Sequence, residues 1–287
     1  MKRSRNGSPK SDESRETDDG QREKVLTFWD HLDELRGSIF RVLGVTLGCG
    51  LVAFFFKETL FDVVLAPRMS DFVTYRLLGV EPFVVRLVNT GLTEQFMVHM
   101  KTAFYAGLLV ASPFVIYELF RFVSPALYTH ERRYAVRIVG AAYVMFLVGT
   151  LLNYFLIFPL TVKFLGTYQV SPDVTNMLTL QSYMDTLLLL SLVMGIVFEL
   201  PVLSWLLARF GLLRAAWMTK FRRHAVVAIL IVAAVITPTT DAFTLIAVSL
   251  PIWLLYELSI WIVRKTVSLE RFSEEEVRMV EQSHIEE

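Results

Sequence analysis

Six long apolar segments, separated by shorter polar ones, dominate the chain. A helix needs about 20 apolar residues to cross the roughly 30 Å of hydrocarbon in a bilayer. Five segments meet that length, whereas residues 225–237 would cover only about 20 Å and are expected to form a helical hairpin with the sixth segment. The segments are residues 38–56, 96–117, 134–158, 183–208, 225–237 and 243–263. This pattern predicts an all-α polytopic membrane protein with six transmembrane helices.

Three regions are expected along the chain. Residues 1–24 are charged and nearly free of large apolar side chains, which predicts a disordered tail. The apolar stretch begins too late for a cleavable signal peptide. Residues 25–266 form the expected membrane domain, which opens with an amphipathic surface helix at residues 27–36. Residues 267–287 are interpreted as a cytoplasmic C-terminal tail.

Composition and charge support a membrane protein and predict its orientation. Hydrophobic residues make up 54% of the chain, the mean hydropathy is +0.50, and the formal net charge is zero, which gives no case for nucleic-acid binding. All but six of the 28 Lys and Arg residues fall on the side that holds both termini. Because basic residues are enriched in cytoplasmic loops, both termini are predicted to be cytoplasmic. The six on the opposite side are Lys57, Arg68, Arg76, Arg86, Lys101 and Lys163.

Signatures of enzymes are missing from the sequence. It has no phosphate-binding Gly-Lys pattern, no HExxH, no Gly-x-Ser-x-Gly and no Cys/His cluster, and the single Cys49 lies in an apolar segment. No cofactor or metal is therefore expected. Work done by this protein must come from a partner or from the membrane potential.

Acidic residues in apolar segments are the candidates for function. Glu199 lies inside the fourth segment, where a charge costs at least about 2.5 kcal/mol on insertion scales. Pro201 removes a backbone hydrogen bond nearby and is expected to kink that helix. Glu118 and Glu257 lie nearer the interface, where snorkelling or a helix-end contact is an equally good interpretation. Glycines 44 and 48 form a small-xxx-small pair that is typical of close helix packing.

Several motifs, in order along residues 28–264, resemble the TatC family, the polytopic subunit of the twin-arginine translocase. His31-Leu-Asp-Glu-Leu-Arg36 resembles its N-terminal motif, and Phe122-Val-Ser-Pro-Ala-Leu-Tyr128 with Glu131-Arg-Arg133 resembles its first cytoplasmic loop. Phe158-Pro159, Phe198-Glu-Leu-Pro201 and the turn from Thr237 to Asp241 match later landmarks. The resemblance implies a cup-like bundle in the cell membrane and a role in exporting folded proteins with the proton-motive force.

The resemblance also implies the site residues. Glu34 and Glu131 correspond to carboxylates that contact the paired arginines of a signal peptide. The surrounding candidates are Phe122, His31, Arg36 and Arg132. Residues implied in the membrane, in translocation or in partner contacts are Glu199, Pro201, Pro67, Asp241 and Glu257. Three features depart from the family pattern: Glu118 stands where an amide is common, the turn Thr237-Pro-Thr-Thr-Asp241 lacks a second proline, and Leu245 stands where a glutamine often follows the aspartate.

The implied partners are twin-arginine signal peptides, the lipid bilayer and single-span subunits of the TatA and TatB type, in a hetero-oligomer. The alternative is a small ion-coupled secondary transporter, in which Glu199 beside a proline-broken helix would bind a proton or cation. Such transporters usually contain inverted repeats, and the sequence shows none. A membrane-embedded enzyme has no motif to support it.

Overall fold

Helices account for nearly all of the regular structure. The computed structural model describes residues 28–79, 81–83, 85–123, 132–168, 171, 177–237 and 241–285, and only the backbone of residues 28–31, 123, 132–136 and 267–285. The elements are α1 (Phe28–Phe54), α2 (Lys57–Leu65), α3 (Val73–Leu77), β1 (Leu87–Val88), α4 (Glu94–Val123), α5 (Arg132–Leu152), α6 (Phe158–Thr167), β2 (Leu178–Thr179), α7 (Leu180–Val197), α8 (Leu200–Arg209), α9 (Ala215–Lys220), α10 (Arg222–Ile236) and α11 (Ala242–Ile285).

Five helical stretches among the described residues are long and apolar enough to cross a membrane. Two of them combine elements: α5 and α6 are joined by one π-helical turn, Asn153–Ile157, and α7 and α8 are joined at Phe198 and Glu199. The predicted fifth segment forms α10, whose 15 residues cover only about 22 Å. The stretches are Leu32–Phe54, Glu94–Phe122, Arg137–Thr167, Leu180–Arg209 and Ala242–Thr266. The expected all-α membrane fold is confirmed.

The first and last helices extend across the boundaries that the sequence predicts. The predicted surface helix and the first span form one continuous helix, α1. At the other end, α11 continues past residue 266 to Ile285, so the expected tail begins within a helix. The charged segment at residues 1–24 lies outside the described residues.

Helices α1 and α4 pack antiparallel and form the most extensive helix pair. A Cβ on Gly107 would lie 2.3 Å from the backbone nitrogen of Gly50, so the two backbones touch there. By contrast, nothing lies within 4 Å of a Cβ built on Gly44 or Gly48. The expectation that Gly44 and Gly48 mediate close packing is therefore wrong within this chain, because no other part of the described structure approaches either position closely.

A second close crossing joins α5 to α7. A Cβ on Gly149 would lie 2.5 Å from the carbonyl oxygen of Met194, and a Cβ on Gly195 would lie 2.6 Å from the ring of Phe146. These glycines bring the helices together beside the main apolar cluster, which also receives Ala233 from α10 and Ile252 from α11. The core is thus built where α5, α7, α10 and α11 meet.

The segment between α1 and α4 folds back over one end of the bundle. Three of its apolar residues, Phe61, Val64 and Leu65, pack on a buried cluster. The hydroxyl oxygen of Tyr75 lies 2.8 Å from the carbonyl oxygen of Pro67 and 2.7 Å from that of Pro159, so its proton is shared between two carbonyl acceptors. Complete burial raises the pKa of the Tyr75 phenol. Strands β1 and β2 pair in parallel, with Leu87 opposite Leu178, and close the same end.

Candidate functional site

Five arginines mark one end of the bundle, which we call the basic end. There α1 begins, α4 ends, α5 begins and α8 ends, so four helices contribute. The residues are Arg36, Arg41, Arg121, Arg137 and Arg209. Acidic residues lie at the same end, among them Glu34 and Glu118, so charges of both signs are present there.

A buried carboxylate at the basic end joins α1 to α4. The Arg41 Nε donates to Glu118 Oε1 at 3.2 Å, and its Nη2 donates to Glu118 Oε2 at 2.8 Å. The same Nη2 also donates to Ser38 Oγ at 2.9 Å, and Arg121 lies 3.6 Å from the carboxylate. The Glu118 side chain is only 3% exposed, whereas that of Arg41 is 44% exposed. Glu118 is therefore paired within its own chain, and Arg41 offsets its negative charge.

Glu34 lies two helical turns from Arg41 along α1. It is partly exposed, and its charge acts on Arg41. Because residues seven apart share one face of a helix, Glu34 and Arg41 point to the same side as Glu118. Along the axis of α1, Glu34 lies about 10 Å from Arg41, toward the first residues of the helix.

The other residues implied at the signal-peptide site are described to different extents. Phe122 lies partly buried in the last turn of α4, and the Arg36 guanidinium lies 5.8 Å from the ring centroid of Phe40. His31 and Arg132 lie in the first turns of α1 and α5, where only the backbone is described. Glu131 lies outside the described residues. The structure thus brings Glu34 and Phe122 to one end of the α1 and α4 pair.

Glu199 lies at a break between two helices, as Pro201 predicts. Helix α7 ends at Val197, α8 begins at Leu200, and Pro201 occupies the first turn of α8, where its missing N–H is tolerated. The Glu199 Oε1 atom is buried and has no hydrogen-bond partner among the described residues. A carboxyl group held in this way can accept a hydrogen bond or a proton from another molecule.

A polar cluster inside the bundle was not anticipated from the sequence. Asn153 begins the π-helical turn, is completely buried and donates from Nδ2 to Ser191 Oγ at 2.8 Å. The hydroxyl groups of Tyr105 and Thr150 are also buried, and neither has a hydrogen-bond partner among the described residues. Helical turns of this type occur frequently at functional sites. The available sequence signal was an asparagine inside an apolar segment, a costly choice unless it finds partners.

The remaining implied residues support the fold locally. Asp241 accepts a hydrogen bond at 2.7 Å from the backbone N–H of Thr244 and so caps α11. Glu257 of α11 pairs at 2.7 Å with Arg222 of α10. Pro67 is buried in a 3-10 turn and holds Tyr75 through its carbonyl oxygen. Glu257 is therefore engaged in a helix-end contact, one of the two interpretations left open by the sequence.

Comparisons with known proteins agree with these landmarks. Residues 30–251 match the family model described as Sec-independent protein translocase protein (TatC). The chain is 37% identical over 238 residues to the TatC protein of Koribacter versatilis (strain Ellin345), covering 83% of this chain and 84% of that protein. It is 35% identical over 237 residues to the TatC protein of Deinococcus radiodurans, covering 82% and 85%.

A solved structure shares the fold. The crystal structure of a twin arginine translocase receptor, TatC, superposes with a TM-score of 0.70 at 29% identity, covering 83% of this chain and 99% of that one. Proteins of this family are components of a protein translocase rather than enzymes, so the expected lack of enzymatic activity is confirmed. The chain is a multi-pass membrane protein and belongs to the TatC family of Sec-independent protein translocase proteins.

Proposed function

We propose that this protein is the signal-peptide receptor and core subunit of a twin-arginine translocase that exports folded proteins across the energised cell membrane. The observation that carries the proposal is the position of Glu34. It lies on the α1 face that carries Arg41, beside the end of α4 where Phe122 is found. The TatC protein of the similar crystal structure is itself described as a twin arginine translocase receptor, which supports the same role here.

The proposed site recognises two consecutive arginines through Glu34 and Glu131. A guanidinium offers a planar fork that can meet a carboxylate with two parallel hydrogen bonds, a geometry that lysine cannot reproduce. Each contact lies near water and contributes only about 0–1 kcal/mol by itself. Two such pairs, together with apolar packing beside Phe122, give useful affinity without a deeply buried charge.

Orientation and partners complete the proposal. We place the basic end and both termini in the cytoplasm, count α10 as a sixth, short membrane helix, and keep the expected division into residues 1–24, 25–266 and 267–287. Single-span TatA and TatB subunits would complete a hetero-oligomer. The support is α10, where Ala233 is the buried member and six large apolar side chains are exposed. These six are Val226, Val227, Leu230, Ile231, Val232 and Val235.

Peptide capture by the purified protein tests the receptor role. A labelled signal peptide with two arginines is titrated against the wild type and against Glu34→Ala and Glu131→Ala, and each substitution should weaken binding about two- to fivefold, the loss of one solvent-exposed arginine–carboxylate contact. The matched control is Asp33→Ala, which removes a neighbouring exposed carboxylate from another face of α1. A peptide with two lysines should bind the wild type as weakly as the variants bind the original peptide. Unchanged binding in both glutamate variants would contradict the proposal.

The transporter alternative rests on Glu199 and the broken helix alone. Both features are present, but the family match extends over most of the chain and concerns protein translocation. We therefore interpret Glu199 as part of the translocation machinery rather than as a solute-coupled ion site.

A further inference from the structure

A groove at the basic end lies outside the proposed peptide site. It has a volume of about 380 Å³ and opens between α5, α8 and α11. Its walls are apolar except for Arg137 at one end. The main wall residues are Ile138, Met145, Pro201, Trp205, Leu258 and Ile262. Neither Glu34 nor Glu199 contributes to it.

The groove has the length of part of an acyl chain. It follows α5 from Arg137 to Met145, which is about 12 Å at 1.5 Å per residue. That distance is a little under half of the roughly 30 Å hydrocarbon layer, so the groove lies within one leaflet. Its deep end reaches Pro201, beside the break between α7 and α8.

Two guanidinium groups and a tryptophan border the groove at the basic end. Arg137 is part of the lining, and the Arg209 guanidinium lies 5.5 Å from the ring centroid of Trp205, which is also part of the lining. Tryptophan is enriched at the level of lipid headgroups, and arginine forms paired hydrogen bonds with phosphate. The groove is therefore cationic at its headgroup end and apolar along its length.

We propose that this groove binds one anionic phospholipid of the same leaflet. The phosphate lies between Arg137 and Arg209, and one acyl chain follows the apolar walls of α5, α8 and α11. Basic pockets between membrane helices bind anionic headgroups in this way. We favour a lipid over a partner helix because a phosphate matches the arginines at one end of the groove and an acyl chain matches its apolar length.

Native mass spectrometry of the detergent-purified protein tests the charge requirement. Phosphatidylglycerol and phosphatidylcholine with identical acyl chains are titrated, and the wild type should bind the anionic lipid about tenfold more tightly, because only that lipid brings a net negative charge to the two guanidinium groups. Arg137→Gln combined with Arg209→Gln should abolish that preference. The control Arg223→Gln removes an exposed arginine from α10 and should preserve it. Equal binding of both lipids, or the same loss in the control, would overturn the proposal.

The position of the lipid is tested separately in the wild-type protein. Phosphatidylglycerol with a photoreactive group in its acyl chain should label peptides of α5, α8 and α11. Ala141→Phe, which fills the groove with a ring, should reduce that labelling at least about fivefold while the protein remains monodisperse. Labelling concentrated on α1 and α4, or unaffected by Ala141→Phe, would show that the groove is not the lipid site. Displacement of the label by a single-span TatA-type helix would instead identify a helix as the occupant.

Discussion

Single residues at the basic end show how this chain accommodates a charge in an unusual place. Glu118 lies near the basic end of α4, and it is almost completely buried. Leaving such a carboxylate without a partner would be costly, because the effective penalty for burying an ion is several kcal/mol. Arg41 supplies two hydrogen bonds and the opposite charge to this carboxylate. The Arg41 side chain itself stays partly exposed at the surface of the protein.

Removing Arg41 should destabilise the protein more than removing Arg121. We expect Arg41→Leu to lower the free energy of unfolding by roughly 2–3 kcal/mol, because it leaves Glu118 buried and unpaired. Arg121 is half exposed and lies 3.6 Å from the same carboxylate, so Arg121→Leu should cost less than about 1 kcal/mol. Unfolding by SDS titration from mixed micelles measures both values.

The double variant Arg41→Leu/Glu118→Leu distinguishes an unpaired charge from lost packing. It should be more stable than Arg41→Leu alone, because no carboxylate remains buried without a partner. Additive losses would mean that the pair contributes through packing instead.

Glu199 is expected to act after the signal peptide has bound. Its position, ten residues from Arg209 along α8, places it about 15 Å from the basic end and near the middle of the membrane. Glu199→Ala should therefore leave peptide capture within about twofold of the wild type but reduce export of a folded reporter into inverted vesicles at least about tenfold, as expected of a functional acid inside the membrane. The control Asp185→Ala removes a half-exposed carboxylate from the same span and should retain export. Full export by Glu199→Ala would return this residue to a structural role.

Residues differ in how well the sequence reveals them. Glu199 could be predicted because a lone acid before a proline in an apolar segment is expensive and has few explanations. Arg41 carries the same signal, a single charge inside the first apolar segment, but its importance depends on Glu118, 77 residues away. The partner of a buried charge depends on how the helices pack against each other. The hydrophobic periodicity within one segment gives no information about those contacts.

Elements are positioned by small residues at two helix crossings. Gly50 and Gly107 bring α1 and α4 into backbone contact, and the Arg41–Glu118 pair joins the same helices nearer the basic end. Two attachment points fix the direction of α1 and hence the position of Glu34. A substitution at the crossing of Gly50 and Gly107 should therefore displace Glu34 and weaken peptide binding.

Gly107→Ala tests this arrangement. The new methyl group would lie 2.3 Å from a backbone nitrogen, so the helices must separate, at a cost of about 1–3 kcal/mol. Gly107→Ala should therefore also weaken binding of the twin-arginine peptide. The control Gly140→Ala adds the same atom to α5 with nothing within 4 Å, and it should be neutral or slightly stabilising because alanine favours helix. Equal effects of the two substitutions on stability would contradict the proposed role of the crossing.

Most elements follow from the apolar segments, with differences at their ends. Apolar runs mark the membrane-embedded part of a helix, whereas α4 and α6 continue beyond it, to Val123 and Thr167. The short β1 and β2 pair was missed because two-residue strands that lie about 90 residues apart leave no local pattern. The π-helical turn was missed for a similar reason, since it depends on the contact between Asn153 and Ser191.

At the scale of the whole molecule, the C-terminal hairpin differs from the rest of the bundle. Helix α10 is short, joins α11 through the Arg222–Glu257 pair, and contributes Ala233 to the buried core. Its remaining apolar surface is open over several turns. The short fifth segment could be predicted from its length, but which face it leaves exposed depends on how α11 and the core meet it.

This open face predicts where a single-span partner contacts the complex. A photoreactive amino acid at Val227, which is 57% exposed on α10, should cross-link to a co-expressed TatA- or TatB-type subunit. The same probe at Val148, which is 42% exposed on α5, should give a much lower yield, because only Val144 and Leu151 accompany it as exposed large apolar side chains on the described part of that helix. Both positions face an apolar environment, so a difference between them reports contact with a partner rather than access to lipid. Equal yields would mean that partners do not select the hairpin. A high yield at Val227 would also explain how the protein accommodates a helix that is shorter than the bilayer is thick. A neighbouring helix would cover the apolar surface of α10, so that lipid need not adapt to the short helix.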